Sequence, residues 1–411
     1  MKSPTAVLLF SVTASYGLAL AASAAELRGD LEIRIGHSAS GTSWTNAGLG
    51  KAQFDNHESP ALTSRGVLRA ETELVGDVSA AVAVNADGNR RHTLDVQEAW
   101  LSWNPIPTGP WGARLKAGSF FPPMSLEVAY DTVDWYPTRT LSSSAINSWV
   151  GDELRINGVE LAFHRRGALA GSPHDLGVTI GMFGANDPAG TLLAWRGWTI
   201  GDRITGLTET IRLADLPVFR ASGAIPRQTR DVRPFREIDG QPGFYAALRY
   251  ARAGAAEVNL LHYDNRGHPR IVDAGQYSWR TRFDHLSLKM PIPAGWELLL
   301  QALSGDTVMG PNAVNVRYQA AYVLASHAMG IGQFTIRVDG FRTLDRDRTP
   351  ADPNQEHGRS VALAYRFPIH RGIDLYAEEL GIISTRPARA LIGVDPGQHE
   401  YTSSVAVRCS F

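Results

Sequence analysis

The sequence lacks several features that would each point to a class of protein. It has one cysteine, Cys409, so an internal disulfide framework and a cysteine-rich metal site are excluded. Its 40 basic and 41 acidic residues give a net charge of −1, so no basic surplus exists for a broad nucleic-acid surface. Lysine occurs only at Lys2, Lys51, Lys116 and Lys289, and arginine supplies the other basic residues. We therefore expect no nucleic-acid partner.

Long apolar runs are also missing, except at the N-terminus. There Lys2 precedes an apolar stretch over residues 6–20, and small residues follow at 22–25. This pattern predicts a signal peptide over residues 1–25 that is cleaved on export, and a single mature domain over 26–411. No later window approaches the roughly 18 consecutive apolar residues that a membrane-spanning helix requires. The mature chain is therefore expected to be periplasmic, secreted, or inserted in a membrane as a β-barrel.

The mature chain repeats short segments in which apolar and polar residues alternate. In the first, Leu31, Ile33 and Ile35 alternate with Glu32 and Arg34. A period of two puts the two sets on opposite faces of a β-strand. Sixteen strands are predicted, at about 27–36, 65–75, 77–85, 93–103, 112–119, 153–164, 175–183, 243–252, 255–264, 278–290, 295–304, 313–326, 331–341, 359–367, 372–382 and 401–411. We expect a bulge at Gly158, where the alternation changes phase.

The connections between these segments alternate between long and short. Residues 37–64, 120–152 and 184–242 are long connections, whereas Gly76 and 253–254 are short ones. Outer-membrane barrels have short periplasmic turns and long extracellular loops, and a sheet crosses hydrocarbon only as a closed barrel. The fold class predicted is therefore all-β, a transmembrane antiparallel β-barrel of about 16 strands in the bacterial outer membrane.

The final strand supports this interpretation. Its alternating face begins at Tyr401 and ends at Phe411, and a terminal aromatic residue resembles the signal that outer-membrane barrels present to their assembly machinery. Tryptophans near strand ends are expected in the girdles at the two membrane surfaces; they are Trp100, Trp103, Trp111, Trp279 and Trp296.

Charged residues concentrate on the face opposite the apolar one. Charged residues at that density are typical of a water-filled lumen. A barrel of sixteen strands is wide enough to enclose such a lumen. The apolar side chains would face membrane lipid, among them Val316, Tyr318, Ala320, Tyr322 and Leu324. The residues predicted to line the channel are Arg34, Arg69, Arg114, Lys116, Arg155, Arg249, Arg282, Arg317, Arg337, Arg366 and Arg408.

A motif beginning at Lys116 gives a family resemblance. Gly118, Phe120, Pro123, Leu126 and Glu127 follow the pattern Gly-x-Phe-x-x-Pro-x-x-Leu-Glu, which looks like an element of the phosphate-selective porin O/P family. The resemblance implies a homotrimeric outer-membrane porin for passive diffusion of small hydrophilic, phosphate-like anions. It also implies that the 120–152 loop folds into the barrel as a constriction. The charged residues expected in that loop are Glu127, Asp131, Asp134 and Arg139.

The chain departs from this family in its lysines. Phosphate-specific members combine an arginine ladder with a lysine cluster, but here only Lys116 is clearly placed on an inward strand face. The lack of a lysine cluster argues against phosphate selectivity more strongly than it argues against a general preference for anions.

No pattern indicates an enzyme. Neither Gly-x-Ser-x-Gly nor His-Glu-x-x-His occurs, so we predict no catalytic residue, metal or cofactor. The alternatives are a barrel enzyme or adhesin that acts through its external loops, and a soluble exported carbohydrate-binding β protein. More than one role remains for the long 184–242 connection. It would plug or cover the external mouth of the barrel, or pack at a subunit boundary. A short helix is expected there over 208–216.

Overall fold

The computed structural model describes residues 25–88, 93–128 and 135–411. The predicted signal peptide lies almost wholly outside the described residues, as do Asp131 and Asp134. In the described part of the chain, sixteen antiparallel strands close a barrel in sequence order. They are β1 (Glu26–Ser38), β2 (Ala61–Val75), β3 (Val78–Asp87), β4 (Leu94–Trp103), β5 (Trp111–Phe120), β6 (Ile156–Arg165), β7 (His174–Gly184), β8 (Gly243–Arg252), β9 (Ala256–Asp264), β10 (Arg280–Ile292), β11 (Trp296–Met309), β12 (Val314–Met329), β13 (Gly332–Asp345), β14 (Glu356–His370), β15 (Ile373–Thr385) and β16 (Gly397–Ser410).

The remaining regular structure is short and lies in the connections. Two α-helices occur there, α1 (Asn147–Val150) and α2 (Ala189–Trp195). Two pairs of two-residue strands join Ile211–Arg212 to Asp231–Val232 and Val272–Asp273 to Gln276–Tyr277. Single 3-10 turns lie at Trp44–Asn46, Asn56–Glu58, Gly167–Ala170, Pro217–Phe219, Pro293–Gly295 and Pro387–Ile392. No helix among the described residues is long and apolar enough to cross a membrane.

The predicted fold class is confirmed, and each predicted strand overlaps one strand of the barrel. The first and last strands close the wall: β1 pairs with β16, and Gly29 and Phe411 exchange backbone hydrogen bonds of 2.9 and 3.0 Å. Because the sheet closes on itself, each strand of the barrel pairs with a neighbour on both sides.

The alternation in β1 has the predicted direction. Leu31, Ile33 and Ile35 point outward and are 51 to 59% exposed, whereas Glu32 and Arg34 point inward and are 2 and 4% exposed. Residues directly opposite in paired strands share a face, so this assignment propagates around the barrel.

The two faces of strand β12 point in the directions opposite to those predicted. Val316, Tyr318, Ala320, Tyr322 and Leu324 were expected to face lipid, but all five are buried inside the barrel. The prediction was wrong because it assumed a water-filled lumen at this level, whereas the barrel interior there is filled by protein and accepts apolar side chains.

The predicted bulge at Gly158 is also wrong. The register of β6 runs through Gly158 without a shift. A Cβ atom there would lie 2.0 Å from the carbonyl oxygen of Met182, so glycine permits a close backbone approach. A bulge occurs instead in β4, where Ala83 pairs with Glu98 but Val84 with Val96. It explains why the sequence of β4 alternates poorly.

Two of the tryptophans assigned to the outer girdles lie inside. Trp103 and Trp111 are exposed on the outer face, at 44 and 65%, and Trp296 also points outward. Trp100 and Trp279 are buried instead. Their rings fill the interior, and the outer surface loses two of the five predicted anchors.

The two ends of the barrel differ in the length of their connections. At one end the connections include 39–60, 121–155 and 185–242, and we call this the loop end. At the other, the turn end, they include 76–77 and 253–255, and the first and last strands begin and finish there.

Candidate functional site in the barrel interior

Two connections enter the barrel from the loop end. We call residues 121–128 and 135–155 the first lumen segment, and residues 186–209 the second lumen segment. Almost every residue of both is buried among inward side chains of the strands. The family resemblance predicted that the first lumen segment enters the barrel. The position of the second lumen segment was not predicted from the sequence.

A buried arginine on β13 holds the first lumen segment. Arg337 is fully buried and donates to Asp339 at 2.9 Å and to Glu127 at 3.1 Å. The same guanidinium donates to the carbonyl oxygens of Ser142 and Ser143. Arg337 therefore joins the barrel wall to two stretches of the segment through charge-assisted hydrogen bonds.

Two carboxylates fix the backbone of the same segment. Glu378 on β15 accepts from the backbone N–H groups of Leu141 and Ser142 at 2.7 and 3.0 Å. Glu127 accepts from the Ser144 backbone N–H at 3.1 Å and also from the side chains of Ser144 and Asn147. These contacts satisfy backbone donors that would otherwise be buried without a partner.

Aromatic rings fill the space between this segment and the wall. The Trp149 ring meets Phe283 and Tyr318 edge to face, with centroids 5.5 and 5.3 Å apart, and Trp198 at 6.1 Å. Trp149 therefore packs the segment against the wall, and this cluster is the reason that β12 turns apolar residues inward.

The second lumen segment begins against the wall formed by β10, β11 and β12, where α2 packs. The helix approaches closely because Gly190 has no side chain: a Cβ atom would lie 2.0 Å from the Thr307 hydroxyl. The helix predicted over 208–216 is not observed; only the two-residue strand Ile211–Arg212 lies there.

The segment then crosses to the opposite side of the lumen. The Lys51 ammonium donates to the Arg196 carbonyl at 3.0 Å and pairs with Glu356. Arg386 donates to the Ala194 carbonyl at 2.8 Å and to Glu356 at 3.1 Å. Glu356 thus neutralises two cations that hold the middle of the segment.

The same lysine connects the lumen to the closing strand. The backbone N–H groups of Lys51 and Ala52 donate to Glu400 of β16, each at 2.9 Å. The 39–60 loop, the second lumen segment and the last strand therefore share one set of buried contacts.

The crossing ends on an arginine cluster at β1, β2 and β16. Asp202 accepts from Arg34 and Arg65, and Glu32 accepts from these two and from Arg408 at 2.6 to 2.8 Å. The centre of this cluster is thus made of three guanidinium groups that directly contact two carboxylates.

The Tyr136 ring of the first lumen segment lies between two of these arginines. The guanidinium carbons of Arg65 and Arg408 are 3.9 and 5.2 Å from its centroid. The first segment therefore reaches the same cluster through cation–π contacts.

Water reaches the interior from both ends. At the loop end a cavity of about 550 Å³ is lined by Arg34, Arg65, Arg203 and Arg212, together with acidic and apolar residues. The inward side chains exposed toward the turn end form ion pairs: Arg114 with Glu160, Arg249 with Glu257, Lys289 with Glu297 and Arg366 with Asp374.

Most predicted channel residues lie on the inner side of the wall. Arg155 lies just before β6 and donates to the backbone carbonyls of Gln97 and Thr205. Arg139 bonds Glu297. The inward set comprises Arg34, Arg69, Arg114, Lys116, Arg155, Arg249, Arg337, Arg366 and Arg408.

The assignment of Arg282 and Arg317 to the lumen was wrong. Both point to the outer surface, where the Arg282 guanidinium pairs with Asp306 at 3.0 Å. Their neighbours Phe283 and Tyr318 occupy the inner face. Charged residues of a barrel usually face inward. Here apolar protein fills the interior, so the apolar side chains of these strands face inward and the arginines face outward.

The structure also brings together three carboxylates that the sequence did not single out. The acidic oxygens of Asp187, Glu237 and Asp239 lie within 4.8 Å of one another at the loop end. Asp187 is buried and accepts from the backbone N–H groups of Ile238 and Asp239 at 2.6 and 3.2 Å. Burial, with a contribution from the neighbouring carboxylates, raises the pKa of Asp187 to about 7.

This raised pKa predicts that the stability of the loop around Asp187 depends on pH. The folded loop binds the Asp187 proton more tightly than an unfolded one, so its stability falls as pH rises from about 4 to about 7. We expect Asp187→Asn, which keeps the oxygen acceptor, to remove this dependence. Hydrogen exchange of the Ile238 and Asp239 amides, corrected for the intrinsic rate, measures it; equal pH profiles in both proteins would contradict the assignment.

Comparison with known proteins supports the architecture. No protein-family model and no curated protein matches the chain. Among solved structures it is similar to the outer membrane channel DcaP of Acinetobacter baumannii, at 12% identity and a TM-score of 0.54, covering 97% of this chain and 100% of that one. An anion-selective porin from Comamonas acidovorans matches at 10% identity and 0.51, covering 95 and 100%. Pseudomonas putida OprB matches at 12% and 0.51, covering 95 and 94%. At these identities the likeness concerns the fold.

Proposed function

We propose that this chain is an outer-membrane porin through which small hydrophilic, anionic solutes diffuse without chemical change. The observation that carries the proposal is a closed barrel with an apolar outside and inward arginines accessible from both ends. Its structural likeness to porins and channels supports the same function.

The outer surface supports a place in a membrane. Leu176, Val178, Ile180 and Met182 form a continuous outward row on β7 and are 42 to 63% exposed. An uninterrupted apolar surface of this kind is unfavourable in water, and closure pairs each strand with two neighbours, as a sheet in hydrocarbon requires. This argues against a soluble carbohydrate-binding protein.

The orientation of the barrel in the membrane follows from the lengths of the connections at its two ends. Long loops face outside and short turns face the periplasm in outer-membrane barrels, so the loop end would be extracellular. An N-terminal signal peptide, recognition of Phe411 by the assembly machinery, contacts with outer-membrane lipid and a homotrimeric assembly belong to the same proposal.

Arginines at successive levels form the path for anions. Arg34 and Arg65 line the cavity at the loop end, Arg408 of β16 lies in the same cluster, and Arg366 is accessible from the turn end. Positive groups spaced along a pore hold an anion and release it to the next site. Both lumen segments would narrow this path, so the constriction is built from two loops and not from 120–152 alone.

Phosphate selectivity is the narrower form of this proposal. The cavity at the loop end is lined by arginines and by Asp87, Glu209 and Asp231. Such mixed charge favours small anions in general over a site dedicated to phosphate. The proposal includes no catalytic residue, metal or cofactor.

Reversal potential tests the proposal. Neutralising Arg114 and Arg366 together to Gln should lower the anion-to-cation permeability ratio roughly twofold to fivefold, because each interaction at this range contributes about 1 kcal/mol or less. Single channels in a planar bilayer under a salt gradient measure it. Arg282→Gln with Arg317→Gln is the matched control, since both side chains lie outside the lumen.

Three outcomes would contradict the proposal. Cation selectivity in the unmodified protein would refute the role of the arginines. An equal shift in the control pair would mean that the effect does not arise in the lumen. A folded barrel without channel activity would favour an enzyme or an adhesin that acts through the external loops.

A further inference from the structure

The barrel wall is taller on one side. A strand needs about 9–11 residues to cross a bilayer, and β3 to β9 have 9 to 11. On the other side β12 has 16 residues and β11 and β13 have 14. In a membrane the tall strands must therefore extend beyond the hydrocarbon.

The outer surface shows at which end they do so. Toward the turn end most outward residues of β10 to β13 are apolar, such as Leu288, Val323 and Val338. Nearer the loop end most outward residues of β10 to β14 are polar or charged, although Val308 and Leu344 are apolar. The polar and charged residues there are Arg280, Arg282, Asp284, Ser304, Asp306, Asn315, Arg317, Gln319, Arg342, His357 and Arg359.

Three arginines form a row across adjacent strands at this boundary. Arg342 lies directly opposite Gln319 on one side and His357 on the other. Arg317 and Arg359 are each two residues from those partners, and such diagonal positions are about 7–8 Å apart. All three point outward and are exposed.

The row forms no ion pair with a carboxylate among the described residues. Arg342 donates to Gln319 at 2.7 Å. Asp306 lies directly opposite Arg317, but its carboxylate pairs with Arg282 at 3.0 Å.

A groove lies beside the row. Its volume is about 580 Å³, and its outward lining includes the small residues Ala302, Ala321 and Gly340 and the apolar Leu260 and Leu286. A Cβ atom added at Gly340 would meet nothing within 4 Å. Its polar and charged outward lining is Asp284, Ser304, Gln319, Arg342 and His357. The groove is therefore apolar along one part and polar along the other.

We propose that this groove and the arginine row bind one lipid with an anionic phosphate headgroup, in the leaflet at the loop end. This inference rests on the proposed membrane location. The acyl chain would lie over the small residues, and Arg317, Arg342 and Arg359 would hold the headgroup phosphate. Guanidinium groups bind phosphate through paired hydrogen bonds, and a lipid alone supplies an apolar chain and an anion at the depth of this boundary.

The test uses the full chain in phosphatidylcholine nanodiscs that contain a small fraction of lipid A. Native mass spectrometry counts the lipid A molecules retained. The triple variant Arg317→Gln, Arg342→Gln, Arg359→Gln should bind about tenfold to a hundredfold more weakly, since each arginine near an anionic surface contributes about fivefold. The control triple Arg220→Gln, Arg227→Gln, Arg270→Gln removes the same charge from exposed loops and should bind like the unmodified chain.

A second measurement keeps the proposal testable if the variant misfolds. The unmodified chain should retain lipid A and release it when its phosphates are removed enzymatically. Equal retention of dephosphorylated lipid A would overturn the proposal, as would equal loss in both triple variants. A change in oligomer mass with unchanged lipid retention would assign the surface to a second copy of the chain. Failure to insert into nanodiscs would instead refute the membrane location.

Discussion

Excising residues 189–205 and bridging Pro188 to Gly206 with a flexible Gly-Ser linker should raise single-channel conductance several-fold. The second lumen segment crosses the interior from the wall near Thr307 to the cluster around Arg34. A sixteen-stranded barrel without such a segment encloses an aqueous channel. Conductance should therefore increase with the cross-section that the excision opens.

The excision has a second expected effect on selectivity. It removes Asp202, which accepts from Arg34 and Arg65. Glu32 then remains as the direct carboxylate partner of these two arginines and Arg408. The excision also removes Arg196 and Arg203, whose partners Glu153 and Glu209 stay in the lumen. More positive than negative charge is therefore lost, and the reversal potential should shift toward cations in the same single-channel records.

The matched control removes residues 220–227, most of which are exposed on the same connection. This change shortens the loop but leaves both lumen segments in place, so conductance should stay close to that of the unmodified chain. Equal conductance in the two excision variants would show that the second lumen segment does not restrict the path.

Replacing Arg337 with alanine should lower the free energy of unfolding by about 3–5 kcal/mol, the usual cost of removing one partner of a buried ion pair. Glu127 and Asp339 would remain buried without their cation, and the carbonyls of Ser142 and Ser143 would lose a donor. Urea unfolding in detergent, followed by tryptophan fluorescence, measures the change.

Arg366→Ala is the control for this substitution. Arg366 lies on the adjacent strand β14 and also faces the lumen, but its side chain is 39% exposed and pairs with Asp374 at 2.8 Å. Exposed pairs contribute about 0–1 kcal/mol. Similar losses in both variants would mean that Arg337 does not anchor the first lumen segment.

The strands could be predicted from sequence because their signal is local. Alternation needs only a few neighbouring residues, as in Leu31 to Ile35, and the lengths of the connections then fix the barrel. The direction of each face is not local. On β12 it depends on Trp149, which lies more than a hundred residues earlier and contacts Tyr318. The sequence therefore placed Arg317 correctly on a strand and on the wrong face.

The second lumen segment was unpredictable for a related reason. Its apolar stretch, from Thr191 to Ile200, is too short to identify what it packs against. Its polar partners, Lys51, Glu356 and Arg386, come from three distant parts of the chain. One signal was available: an apolar run in a long loop must be buried somewhere, and the interior offers the space.

The contacts of Lys51 with Glu400 and Glu356 link the filled interior to the closed wall. The acceptor for the 39–60 loop lies on β16, the strand that pairs with β1. Filling of the interior and closure of the wall thus depend on the same residues. A chain whose 39–60 loop is displaced from the lumen would lose contacts to the closing strand as well as to the second lumen segment.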